Sequence, residues 1–421
     1  MTDVLIIGGG LAGLSCARVL QHQGVSYTLL EASDALGGRV RTDEVDGFLL
    51  DRGFQVLLTA YPETERQLDY QRLGLRSFYD GALVFTGRGF QRVADPRRQP
   101  SAAWSTLRAS VGSVADKLRI LRLRQAVTRP PLQTLFERPE TSTLDALRTR
   151  YGFSDTMIER FFRPFFGGIF LDQSLAASSR MFEFVFRMFS TGTAALPAGG
   201  IQAIPRQLAE PLPAEAIRLN TRVVAVDASG AVTTEAGETL QAQAVVVATE
   251  APAAAQLLGA AAKITPLDAK STTCLYYAAD RPPVQDPVLM LSGDGRGPVN
   301  NVSVLTNVAP SYGPPGQALL SVVVLGEAEA DDASLDRAVR TQLTGWFGPE
   351  VGTWRHLRTY RVRYALPDQA PPFLTPLERP IRLAERLFVC GDHRQTASLN
   401  GALVSGRHAG EMVAALMATG P

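Results

Sequence analysis

Four apolar residues, Val4-Leu5-Ile6-Ile7, run without a polar break into Gly8-Gly9-Gly10-Leu11-Ala12-Gly13. That pattern predicts a strand, a glycine turn and a helix. Leu14 to Gln23 keeps an apolar helical period, Gly24 stands where a C-cap belongs, and Val25 to Leu30 reads as a second strand ending in Glu31. Ala244 to Thr249 reads as a further strand, Leu387 to Asp392 as a buried strand ending in Asp392, and a last helix opens near Asn400 and runs through Leu416. Two stretches of different texture lie between. The first is mostly helical, with Val114 to Ala126 broken after by Pro130-Pro131. The second has strands at Thr273 to Tyr277, Asn301 to Thr306 and Leu319 to Leu325, then a helix over Asp332 to Phe347. Aromatic residues concentrate in Phe161 to Phe170 and Met181 to Phe189, where Phe at helical spacing points mostly to core.

Gly8, Gly10 and Gly13 form Gly-x-Gly-x-x-Gly, with Leu11 and Ala12 between the second and third glycines as further candidate cofactor contacts. Such a turn lets bare backbone approach a pyrophosphate while the helix N-terminus offers unpaired N–H groups and positive dipole. Glycine turns also end strands for steric reasons alone, so the triplet by itself leaves both readings open. Glu31 decides for the nucleotide, because an acid about 20 residues on can accept both hydroxyls of an adenosine ribose.

After Glu31-Ala32 comes Gly37-Gly38-Arg39, where a glycine pair allows close passage and an arginine can fork onto phosphate oxygens. Here the chain resembles the FAD-dependent amine oxidase superfamily, which includes monoamine and polyamine oxidases, protoporphyrinogen oxidases and phytoene-type desaturases. Gly47 to Val56, with Asp51-Arg52-Gly53-Phe54-Gln55, is similar to the family's loop beside the flavin ring. Asn220 to Asp227 resembles the strand whose valine, here Val223, touches adenine. Cys390-Gly391-Asp392 and Ser398-Leu399-Asn400-Gly401-Ala402 resemble the second FAD motif. There Asp392 can hold a ribityl hydroxyl, and the helix dipole can face the flavin N1–C2=O edge and favour reduction.

The resemblance implies an α/β fold: a Rossmann-like FAD-binding domain interleaved with a substrate domain of mixed sheet plus helical insertion. Motif order gives 1–80, 195–255 and 355–421 to the FAD-binding domain. It leaves 81–194 as the helical part and 256–354 as the sheet part of the substrate domain. Val56, Phe166, Phe170, Tyr276 and Ser398 are the candidate substrate-pocket residues.

Two departures bear on chemistry. Members of the family carry a lysine that holds a water at flavin N5, and aromatic residues flanking the ring. This chain has three lysines, Lys117, Lys263 and Lys270, and matching Cys274-Leu275-Tyr276-Tyr277 puts Thr273 in the lysine's place. Ser398 stands where monoamine oxidases carry a cage tyrosine. Both departures weaken an amine substrate and fast oxygen use. Tyr360 to Phe373 holds no cysteine, so non-covalent FAD is expected. Hydride abstraction needs orientation and desolvation more than a titrating base, and catalytic residues stay unassigned. The expectation is an FAD-dependent oxidoreductase that dehydrogenates a small apolar, conjugated substrate of carotenoid or tetrapyrrole kind, with an organic electron acceptor. Amine oxidation to imine and hydrogen peroxide, or flavin-dependent isomerisation without net redox, are the alternatives.

Composition adds limits. Lys+Arg 42 against Asp+Glu 41 leaves a net charge of +1, which gives no reason to expect nucleic acid. The four histidines show no ligand spacing and no metal is expected. The first strand starts without a basic and apolar leader, and no apolar run reaches about 18 residues; a cytoplasmic location is expected, with Cys16, Cys274 and Cys390 as reduced core thiols. From Ser101 to Phe165 there are 11 Lys or Arg against 6 acids. Lys117 to Arg124 reads as a solvated helix face or as a basic surface for peripheral membrane contact, with Trp104 as interfacial anchor.

Overall fold

The computed structural model describes residues 3–95, 97–227, 230–259 and 268–419. Lys263 lies outside them. Val4–Ile7 forms a strand whose four residues are all buried, paired in parallel with Tyr27–Leu30 on one side and Ala244–Val247 on the other. Ile217–Arg218 and Leu387–Val389 extend the sheet to five parallel strands in the order 217–218, 27–30, 4–7, 244–247, 387–389. Central strands covered on both faces need unbroken apolar runs, which accounts for the absence of alternation in Val4–Ile7 and Ala244–Val247. The helix Leu11–His22 starts three residues earlier than its apolar period suggests, and Gly24 follows with φ +70°. It packs on the C-terminal helix Leu399–Thr419, where a Cβ at Gly406 would lie 2.1 Å from the Ala12 carbonyl oxygen.

The second sheet has seven strands in the order 355–367, 269–279, 318–325, 299–304, 289–292, 81–85, 90–94. It is antiparallel except where Leu289–Ser292 meets Gly81–Phe85. The mixed sheet therefore takes in a hairpin, Gly81–Phe85 with Phe90–Ala94, from the stretch read as mostly helical. The helices Val114–Thr128, Arg163–Phe170 and Ser179–Thr191 make up much of the rest of that stretch, and Asp332–Phe347 has the bounds its sequence suggests.

Candidate cofactor and substrate site

A cavity of about 740 Å³ lies between the carboxyl ends of the parallel strands, the mixed sheet and the helical insertion. This is where an open α/β sheet binds its ligands. One end is built on Gly8, Gly10, Leu11, Ala12, Glu31 and Ala32. No side chain caps the helix Leu11–His22 and no acid stands in its first turn, so its leading N–H groups are open to an anion. A Cβ added at Gly10 would meet nothing within 4 Å, leaving bare backbone on the cavity, whereas one at Gly13 would sit 1.9 Å from the Gly8 carbonyl oxygen. Gly13 therefore serves close packing and does not line the cavity. The Glu31 carboxylate is pre-set: Oε2 accepts the Gly9 N–H at 2.6 Å, and Oε1 accepts Ser33 N–H and Oγ–H at 2.8 and 2.7 Å.

Gly37, Gly38 and Arg39 also line the cavity. Arg39, read as a phosphate ligand, spends two nitrogens elsewhere. Its Nη2 donates to Asp392 Oδ2 at 2.7 Å, and Nη1 donates to the Ala365 carbonyl at 2.9 Å. Burial opposes the Arg39 charge, but the Asp392 carboxylate and its hydrogen bond leave the Arg39 pKa raised. Asp392 Oδ1 is buried and lacks a partner. An orphaned carboxylate oxygen is costly to bury, and a ribityl hydroxyl would satisfy it. With the bare Gly10 backbone and the open helix end, it makes the residues present a fit for FAD. Gly391 lies beside Asp392 in the wall, and Val223 stands at the Glu31 end with Thr221 and Arg222.

Gly53, Phe54, Gln55 and Val56 line the cavity farther in. Gln55 Nε2 pins this loop by donating to the Arg39 and Arg52 carbonyls at 2.9 and 3.1 Å. Asp51, at the end of the strand Phe48–Asp51, anchors it from below: its carboxylate accepts Thr42 Oγ–H at 2.6 Å, Ile201 N–H at 2.9 Å and Tyr312 O–H at 2.9 Å. Burial pushes the Asp51 carboxyl up to about 6, with those three bonds pulling the other way. Tyr276 does not reach the pocket. It is fully buried and donates its hydroxyl to the Asp51 carbonyl at 2.8 Å, so it supports the loop from behind.

Phe166 is a second correction. Its ring packs in the aromatic core, 4.8 Å from Phe182, while Phe165, Ile169 and Phe170 of the same helix line the cavity. Asn400 is a third: its Oδ1 accepts the Glu63 N–H at 2.9 Å and ties the C-terminal helix to Pro62–Gln67. Gly401 likewise serves packing, since a Cβ there would be 1.8 Å from the Thr396 carbonyl oxygen. Ala402 and Ser398 do line the cavity, and Ser398 Oγ accepts the Gly401 N–H at 3.0 Å.

Thr273 faces away as well. Side chains alternate along a strand, and in Ala269–Ala279 it is Thr272 that reaches the cavity while Thr273 donates to the Gly326 carbonyl. Lys270 pairs with Asp172 and Asp368 at 3.5 and 3.6 Å and does not line the cavity. Among the described residues, the lining includes no lysine, cysteine or histidine. The sequence reading missed Met181, Val185 and Phe189, whose spacing of four puts them on one helix stripe. It also missed Tyr61 and Asn301, for which no local signal exists. The three lining carboxylates, Glu31, Glu250 and Asp392, belong with the glycine loop and Arg39. The other end is walled mainly by apolar residues.

A family model described as flavin containing amine oxidoreductase matches residues 11–414. Protoporphyrinogen oxidase 2 of Arabidopsis thaliana is 30% identical over 118 residues, 28% of this chain and 23% of that protein. Polyamine oxidase 5 of Oryza sativa subsp. japonica is 40% identical over 76 residues, 18% and 15% of the two chains. The chain thus matches less than a quarter of the length of these relatives. An oxidoreductase from Methanosarcina mazei has the same fold, with TM-score 0.73 at 18% identity over 97% of this chain and 100% of that one.

Proposed function

The chain belongs to the flavin containing amine oxidoreductase family, and from that premise we propose that it is an FAD-dependent oxidoreductase that takes a hydride from a small apolar, conjugated substrate. The observation that carries this is the division of the cavity. Its charged and glycine-rich end suits a dinucleotide, while Phe165, Phe170, Met181, Val185 and Phe189 make the far end an apolar chamber in which, among the described residues, no carboxylate stands for an ammonium group. Bound there, FAD supplies the two-electron acceptor. The chain's residues hold and orient: Glu31 the ribose, the Gly10 turn the pyrophosphate, Asp392 the ribityl chain. The apolar wall excludes water from the reacting face. FAD is held without a covalent bond, in keeping with a lining in which no cysteine or histidine is found among the described residues.

An organic electron acceptor fits this wall better than oxygen does, since among the described residues no lysine lines the cavity to stabilise developing superoxide. Amine oxidation is the second reading. It is favoured by Tyr61, whose ring lines the cavity and whose hydroxyl bonds with Ser398, at the place where a cage ring is wanting. Stopped-flow mixing with benzylamine, putrescine and spermidine separates the two. The apolar reading expects the flavin to stay oxidised and the photoreduced enzyme to reoxidise faster with a quinone than in air. Rapid bleaching by an amine, then rapid peroxide formation, would promote the second reading.

The helices Ala103–Arg108 and Val114–Thr128 expose Trp104, Leu107, Val114 and Leu118, with Trp104 66% exposed. Arg108 lies over the Trp104 ring at 5.1 Å, and Arg122 continues the exposed stripe one turn beyond Leu118. An apolar corner rimmed by cations suits peripheral contact with anionic lipid. Among the described residues no helix is long and apolar enough to cross a membrane. Peripheral contact with a membrane through this corner is what the reading supports.

A further inference from the structure

We infer that the substrate carries a neutral oxygen acceptor, such as a ketone, aldehyde, ester or hydroxyl, that docks on the side-chain amide of Asn301. This rests on the apolar-substrate reading above and narrows it. The strand Val299–Val304 shifts register against Ala318–Leu325 between Val299 and Asn301. A bulge re-aims side chains, and here it brings two neighbouring amides together. Asn300 Nδ2 donates to the Pro164 carbonyl at 3.0 Å and to Asn301 Oδ1 at 2.9 Å. The Pro164 carbonyl can only accept, which fixes the orientation of the Asn300 amide. The Asn301 oxygen is therefore the end that faces Asn300, and the Asn301 nitrogen is the end left free. Asn301 lines the cavity, and its nitrogen has no acceptor among the described residues. Gly168 makes room for the pair: a Cβ there would lie 2.8 Å from Asn300 Nδ2 and 3.3 Å from Asn301 Oδ1.

The surroundings set the ligand chemistry. Val323 and Leu291 pair with Asn301 across the sheet, and Phe165 and Ile169 line the same chamber. Thr272 has already given its hydroxyl to the Val324 carbonyl at 3.2 Å. A pure hydrocarbon would strip water from the Asn301 N–H and return nothing, whereas an oxygen acceptor restores the bond. The oxygen is neutral because the lining cations are taken: Arg39 pairs with Asp392, Arg52 with Asp43, and Arg222 with Glu235. A carboxylate at Asn301 would be buried without a counterion.

The test titrates oxidised holoenzyme with β-ionone and with the hydrocarbon of the same skeleton lacking the carbonyl oxygen, read by the flavin difference spectrum. The ratio of ketone to hydrocarbon affinity should fall about tenfold in Asn301→Leu. In the wild type the bound ketone should show a carbonyl stretch lowered from its position in apolar solvent, and this readout decides even if the variant does not fold. Binding of both compounds with an unchanged ratio, or an unshifted stretch, overturns the inference alone. Binding of neither contradicts the apolar-substrate reading and takes the inference with it.

Discussion

Replacing Asp392 by Ala tests the cofactor geometry most sharply, because the two carboxylate oxygens have separate jobs. Oδ2 is held by Arg39 at 2.7 Å, and Oδ1 is buried and unpartnered until a ligand hydroxyl reaches it. A hydrogen bond to a charged group contributes about 1.5 to 3 kcal/mol. At about 1.4 kcal/mol per tenfold, losing it weakens FAD binding by roughly 10- to 150-fold. The broken ion pair adds little, since the Arg39 side chain is 32% exposed and solvent takes up part of its charge. Arg39 freed from Asp392 can also turn toward phosphate, which offsets some of the loss. The lower half of the range is therefore expected. Asp392→Asn keeps an acceptor oxygen but not the charge and should fall between wild type and Asp392→Ala. Apoprotein titrated with FAD, followed by flavin fluorescence, gives the affinities, and thermal melts of the apoproteins control for folding. An Asp392→Ala affinity within about threefold of wild type, a gap of under about 0.7 kcal/mol, would refute the placement of Oδ1 on the ribityl chain.

Gly10→Val should leave the apoprotein melting temperature nearly unchanged yet abolish FAD binding, because its side chain enters open cavity, whereas Gly13→Ala should destabilise the fold through contact with the Gly8 carbonyl. Asp51, raised to about 6, favours folding most below about 4 and loses that contribution, about 3 kcal/mol, as pH rises through 6, while His393, lowered to about 4 by burial, contributes above about 6.5 and loses it as pH falls. The two slopes oppose each other in wild type, so thermal melts of Asp51→Asn should show stability rising with pH between about 4 and 6.5; an unchanged profile would mean Asp51 does not titrate there. The double variant Trp104→Ala, Leu118→Ala should lose sedimentation with phosphatidylglycerol vesicles, and wild type should not sediment with phosphatidylcholine vesicles; equal sedimentation of all samples would exclude the proposed membrane surface.

The cofactor end is legible in the sequence because its residues act locally. Val4 to Gly13 carries its strand, turn and helix in one short run of residues, and Glu31 and Arg39 follow at short range. The substrate end depends on pairing partners far along the chain. Thr272 rather than Thr273 faces the cavity because of strand register, and the role of Asn301 rests on a bulge against 318–325. Tyr276 and Phe166 carry the right chemistry for a pocket, but Asp51 and the ring of Phe182 claim them. The hairpin 81–94 has a signal in Gly87-Arg88-Gly89 after the apolar run Ala82 to Phe85, but its second strand, Phe90-Gln91-Arg92-Val93-Ala94, is mixed in character and the helices after it dominate the stretch. Asn400 shows the limit of motif matching: its position in the motif holds, yet its side chain ties the C-terminal helix to Glu63.

The central claim is net hydride removal from an apolar, conjugated compound. Its most direct test is anaerobic mixing of the yellow holoenzyme with a panel of conjugated hydrocarbons and their oxygenated counterparts, with flavin absorbance and product followed together. The account predicts bleaching of the oxidised flavin band in step with formation of a product two hydrogens poorer, and a stronger response from the oxygenated members. Product without bleaching would mean isomerisation without net redox, and bleaching by amines with no response from any member of the panel would contradict the claim.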